Sequence, residues 1–88
     1  MSVYMISYDL NSPGQNYAKV RESIESLGDW CHFLESTYLV NTTHSGDIVQ
    51  KVASEHLDGN DRIMISLVVP PIRGRLSQEE WDWIRLHI

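Results

Sequence analysis

The chain has a single cysteine, Cys31, among its 88 residues. An internal disulfide is therefore excluded, and one thiolate cannot build a cysteine-rich zinc cluster. The four histidines, His32, His44, His56 and His87, have no close ligand spacing that would replace it. Basic residues are also scarce: seven Lys and Arg stand against twelve Asp and Glu, for a formal net charge of −5. That balance argues against a broad basic face of the kind nonspecific nucleic-acid binders carry and leaves room only for a local patch. Long apolar runs are missing too. None approaches the ~18 residues a membrane span needs. The N-terminus has no basic region followed by an apolar stretch and a small-residue cleavage site. The expectation is a cytoplasmic protein with no membrane partner.

What remains is an ordinary globular composition, 42% hydrophobic, on a length that allows one domain over residues 1–88. A chain this short buries only about 60–65% of the surface it exposes when unfolded. With disulfides and zinc removed as supports, oligomerisation is the one left, so a homodimer is expected.

The apolar pattern then divides the chain. Val3 to Leu10 reads as a strand with Tyr4, Ile6 and Tyr8 on one face and Val3, Met5, Ser7 and Asp9 on the other. Asn11-Ser12-Pro13-Gly14 breaks it, and Ser12 with Gln15 fits a capping box for a helix that buries Tyr17, Val20, Ile24 and Leu27. Gly28 ends that helix. Trp30 to Leu34 and Thr37 to Asn41, separated by Glu35-Ser36, suggest a hairpin. A second helix carries Ile48, Val49, Val52, Ala53 and Leu57, and Asp58-Gly59-Asn60-Asp61 is a turn signal. Arg62 to Val69 is the fourth strand, stopped by Pro70-Pro71 because proline cannot join a ladder interior. Ile72 to Leu76 is a basic connector, and Ser77 to Glu80 caps a short final helix with Trp81, Ile84 and Ile88 on one side.

The order strand, helix, strand, strand, helix, strand predicts an α+β fold of the ferredoxin-like βαββαβ type. It is a sandwich with an antiparallel sheet, the first and third strands central, and a short C-terminal helix added. Two helices cover one sheet face. The other is also apolar, through Val3, Met5, Met64 and Val68, so either the final helix or a second protomer must cover it.

Met5 to Leu10, Leu27-Gly28-Asp29-Trp30, Glu35 to Val40 and the tail Trp81-Asp82-Trp83-Ile84 resemble small bacterial proteins called SinR-like, over most of the chain. These are similar in turn to the CRISPR-associated protein 2 family, and the same broad group includes virulence-associated protein D, an RNA-cleaving toxin. The resemblance implies a ferredoxin-like dimer whose subunits meet through the open sheet face. It also implies a Tyr-Asp pair at the end of the first strand, whose aspartates, one from each subunit, bind a divalent metal in the nuclease members. Tyr8-Asp9 holds that place here. The family's C-terminal fifth strand is replaced by a proline-broken connector and a helix.

Asp9 is thus the candidate catalytic and metal residue, with Mg²⁺ as the implied ion, which would activate water and stabilise charge on phosphate. The plain alternative is that Asp9 caps the loop together with Asn11 and Ser12. Arg62, Arg73 and Arg75, with Arg85 nearby, are the candidate nucleic-acid contacts, or else partners of Glu79, Glu80 and Asp82. Trp30, Trp81 and Trp83 are expected to pack, and His32 to be structural. The preferred functional reading is a dimeric module that binds a protein partner or nucleic acid. The alternative is a metal-dependent endonuclease or endoribonuclease, including a toxin, using Asp9 from both subunits.

Overall fold

A computed structural model describes residues 1–11 and 17–88. The expected capping box of Ser12 and Gln15 lies outside the described residues. Among the described residues seven elements follow one another: β1 (Ser2–Asp9), α1 (Tyr17–Glu25), β2 (Asp29–Leu34), β3 (Thr37–Thr42), α2 (Gly46–Ala53), β4 (Arg62–Leu67) and α3 (Gln78–His87). The strands form one antiparallel sheet in the order β2-β3-β1-β4. The fold is therefore α+β with a four-stranded antiparallel sheet and three helices, compatible with the ferredoxin-like arrangement, and β1 and β3 are central.

Register follows from the period-two pattern. Ile6 stands opposite Tyr38 on β3 and Ile65 on β4, and Tyr4 stands opposite Val40 and Leu67. These residues share a face, and α1 and α2 bury it with Val20, Ile24, Val49 and Ala53. Ile6, Ile24, Tyr38, Val40 and Val49 are fully buried there. The helix ends obey local chemistry. Ser45 accepts from the Ile48 N–H at the start of α2. Gly28, after α1, has a packing reason to be glycine: a Cβ there would lie 2.1 Å from the Asn41 carbonyl oxygen of β3.

The second sheet face is covered by the chain's own α3. Ser77 and Glu80 close a capping box, with Glu80 N–H donating to Ser77 Oγ at 3.2 Å and Ser77 N–H to Glu80 Oε1 at 2.8 Å. Residues 70–77 span up to about 26 Å when extended. That exceeds the ~20 Å length of a six-residue strand, so the connector can cross the sheet and let α3 run back along β2. Its far end is marked by His87, whose Nε2 lies 3.6 Å from the Asp29 carboxylate. Ile84 is buried against Val3 and Leu39, and Trp81 and Trp83 pack around them. The sheet is thus sandwiched between two helical layers. The family resemblance implied a face free to meet a second subunit. In this chain α3 occupies much of it, because its Trp81/Ile84 stripe meets the apolar strand positions within reach.

Candidate functional site

Asp9 ends β1 with its side chain exposed and stands directly opposite Arg62, the first residue of β4. The two share a shallow cleft of about 340 Å³ with Ser7, Tyr8, Ile63 and Met64. No ion pair within 4 Å joins them. The expected loop cap of Asp9 with Asn11 and Ser12 reaches outside the described residues. Beside it Asp61 Oδ1 accepts from the Asn11 N–H and Oδ2 from the Asp58 N–H, both at 2.9 Å. Asp9 is left facing outward beside a cationic neighbour. Among the described residues no group of three His, Cys, Asp or Glu side chains could hold an ion. Mg²⁺ demands a near-octahedral set of oxygens at 2.0–2.1 Å. One carboxylate opposite a guanidinium does not fit it, so within a single chain the residues present do not make the metal site.

The basic residues fall into two places. Arg62 belongs to the Asp9 cleft. Arg73 and Arg75 come together on the connector, where they line a separate cavity of about 350 Å³ between the second sheet face and α3. Of the arginines expected to pair with Glu79, Glu80 and Asp82, Arg85 does so: Asp82 accepts from Arg85 at 2.6 Å, and also from Gln78 at 2.9 Å. Both contacts hold the Asp82 carboxyl below its usual range, the Gln78 hydrogen bond first and the Arg85 one next. Among the described residues neither Arg73 nor Arg75 has a carboxylate within 4 Å.

A polar group inside the main core escaped the sequence reading. The Tyr38 hydroxyl donates to Glu25 Oε2 at 2.5 Å. Burial, then this bond and the Glu25 charge, push the Tyr38 phenol well above its ordinary range. His32 stacks flat on Tyr38 with ring centroids 4.2 Å apart, and its Nε2 lies 2.9 Å from the Glu35 carbonyl oxygen. Trp30 meets the same ring edge-on at 5.7 Å. His32 and Trp30 therefore buttress β3. Next to them, Arg21 lies over Tyr17. The Tyr8 hydroxyl and Arg21 Nε are buried without a well-formed hydrogen bond. Tyr8 is nevertheless the first cause that holds the Arg21 pKa above its ordinary value. The spacing Tyr17, Arg21, Glu25 along α1 was the available signal, since i,i+4 residues share a helix face.

The two sheet edges differ. β2 begins with Asp29, and its register with β3 shifts between His32 and Leu34, both of which blunt an edge. β4 has no register break, although like β2 it opens on a charged residue, Arg62. No charged residue lies between Arg62 and Arg73, and Met64, Leu67 and Val69 are 59%, 53% and 63% exposed. Val68 N–H donates to the Val3 carbonyl. By antiparallel alternation, the backbone groups of Ser66 and Met64 also face β1, and those of Ile63, Ile65 and Leu67 face outward. No protein-family model, curated protein or solved structure matches the chain at a significant level.

Proposed function

We propose that the chain is a ferredoxin-like binding module of the SinR-like kind, related to the CRISPR-associated protein 2 family. It works as a homodimer that docks a protein partner or nucleic acid without cleaving it. The observation that carries this reading is the β4 edge, unbroken in register and without charge beyond Arg62, with Met64, Leu67 and Val69 exposed along it. Such an edge is a template for another strand, and a second copy offers the same edge in the antiparallel sense. The net charge of −5 makes a protein the favoured partner, with nucleic acid limited to contacts at Arg62, Arg73 and Arg75.

The nuclease alternative rests on the exposure of Asp9 and needs both Asp9 carboxylates at one Mg²⁺. Edge pairing works against it. With the two-fold axis near Ile65, each Asp9 sits three residues along from the axis. The two are then roughly 25 Å apart, from ~3.3 Å per residue and ~4.8 Å per strand.

Light scattering on wild type, Met64→Lys and Leu67→Lys tests the assembly, with DNA and RNA incubated alongside in Mg²⁺. The reading expects a wild-type dimer, monomeric variants with unchanged circular dichroism, and no cleavage. A wild-type monomer refutes it. So does metal-dependent cleavage that disappears in Asp9→Ala.

A further inference from the structure

The cavity beneath the connector is not needed by the dimer reading and has its own chemistry. Its floor is Met5 and Leu39 of the sheet, one wall is Ile84 of α3, and its roof is Ile72 and Leu76 of the connector. At about 350 Å³ it falls within the range of small-molecule sites. Small domains have little stability to spare, and an apolar void forfeits the dispersion contacts its lining would otherwise make. Among the described residues only two charged side chains line it, Arg73 and Arg75, and both are cations. No described carboxylate lies within 4 Å of either. In a chain with a net charge of −5, two unpaired arginines at one mouth are the exception. Gly74 between them has open space around it: a Cβ there would meet nothing within 4 Å.

We infer that this cavity binds a medium-chain aliphatic carboxylate, with the chain among the apolar walls and the carboxylate held by Arg73 and Arg75. Guanidinium groups pair with carboxylates through two parallel hydrogen bonds, so a planar anion suits this mouth. At about 30 Å³ per water-sized group, the cavity holds roughly ten such groups. That corresponds to an acid of roughly eight to ten carbons. A longer chain has to leave the cavity, and a shorter one leaves part of it empty.

Calorimetric titration with hexanoate, octanoate, decanoate and dodecanoate, each below its micelle concentration, tests the assignment. Octanol serves as the uncharged comparison. Each methylene that enters the cavity raises affinity about four-fold. The rise is expected from hexanoate to octanoate or decanoate, followed by a plateau. The double variant Arg73→Gln/Arg75→Gln alters only exposed side chains. It should weaken octanoate binding at least ten-fold and leave octanol binding unchanged. Absence of octanoate binding to the wild type overturns the inference. Equal affinity for octanoate and octanol also does so, because the arginines then recognise nothing. An affinity that keeps climbing through dodecanoate overturns it as well, since the chain is then adsorbing to a surface rather than filling a cavity of limited size.

Discussion

Replacing Ile84 with alanine should test whether α3 seals the second sheet face. Ile84 is 6% exposed and is the one residue of α3 buried against Val3 and Leu39. A ten-residue helix is too short to persist alone in water, so α3 depends on this contact and on Trp81 and Trp83. Truncating a buried isoleucine to alanine costs about 2–5 kcal/mol. One flank of Ile84 already borders the connector cavity and has fewer contacts to lose, which places the loss near the lower end, about 2–3 kcal/mol. For a domain of this size the whole stability is roughly 4–13 kcal/mol. With a urea dependence of about 1 kcal/mol per molar, the midpoint should fall by about 2–3 M. Urea unfolding followed by both circular dichroism and tryptophan fluorescence measures this, because Trp81 and Trp83 report from α3 itself. Leu86, 80% exposed on the same helix, supplies the control, and Leu86→Ala should stay within about 0.5 kcal/mol of wild type. If Ile84→Ala also stays within that margin, α3 does not seal the sheet and the three-layer packing is wrong.

Gly28→Ala should destabilise by more than about 2 kcal/mol, because its Cβ meets the Asn41 carbonyl oxygen, a backbone atom that cannot swing away. Gly59→Ala, with nothing within 4 Å, should be neutral by the same thermal melt. Ser77→Ala should cost about 1 kcal/mol in urea unfolding through loss of the capping hydrogen bond. Tyr38 gives a pH signature. Its folded pKa is raised, so the unfolded chain releases the proton first. Stability should therefore fall as pH climbs above about 10, where an unfolded tyrosine ionises. Urea midpoints between pH 9 and 11 should show that slope in wild type and a shallower one in Tyr38→Phe.

The parts legible in the sequence were those set by local chemistry. Alternation put Tyr4, Ile6 and Tyr8 on one face, and they pack there together. Ser77 and Glu80 announced a capping box, and it forms. The destination of α3 was not legible: the spacing of Trp81, Ile84 and Ile88 reveals an apolar stripe but not which surface it meets, a choice made by the reach of residues 70–77. Gly28 was readable as a helix stop, whereas the Asn41 carbonyl that excludes a side chain comes from a strand thirteen residues further on. Asp9 was readable as a carboxylate at a strand end. That Asp61 accepts from the Asn11 N–H depends on a pairing across fifty residues, which composition does not contain. Arg73 and Arg75 were readable as basic, but the cavity they line exists only once the connector crosses the sheet.

The unequal edges of the sheet also limit how many copies can join. In the proposed pairing, a strand added to β4 takes the one edge without a register break, while β2 stays blunted by the shift between His32 and Leu34. A molecule with two open sides propagates into a fibre, whereas one with a single self-complementary side closes after one addition. Under the proposed edge pairing, growth would end at two, with both β2 strands facing outward from an eight-stranded sheet.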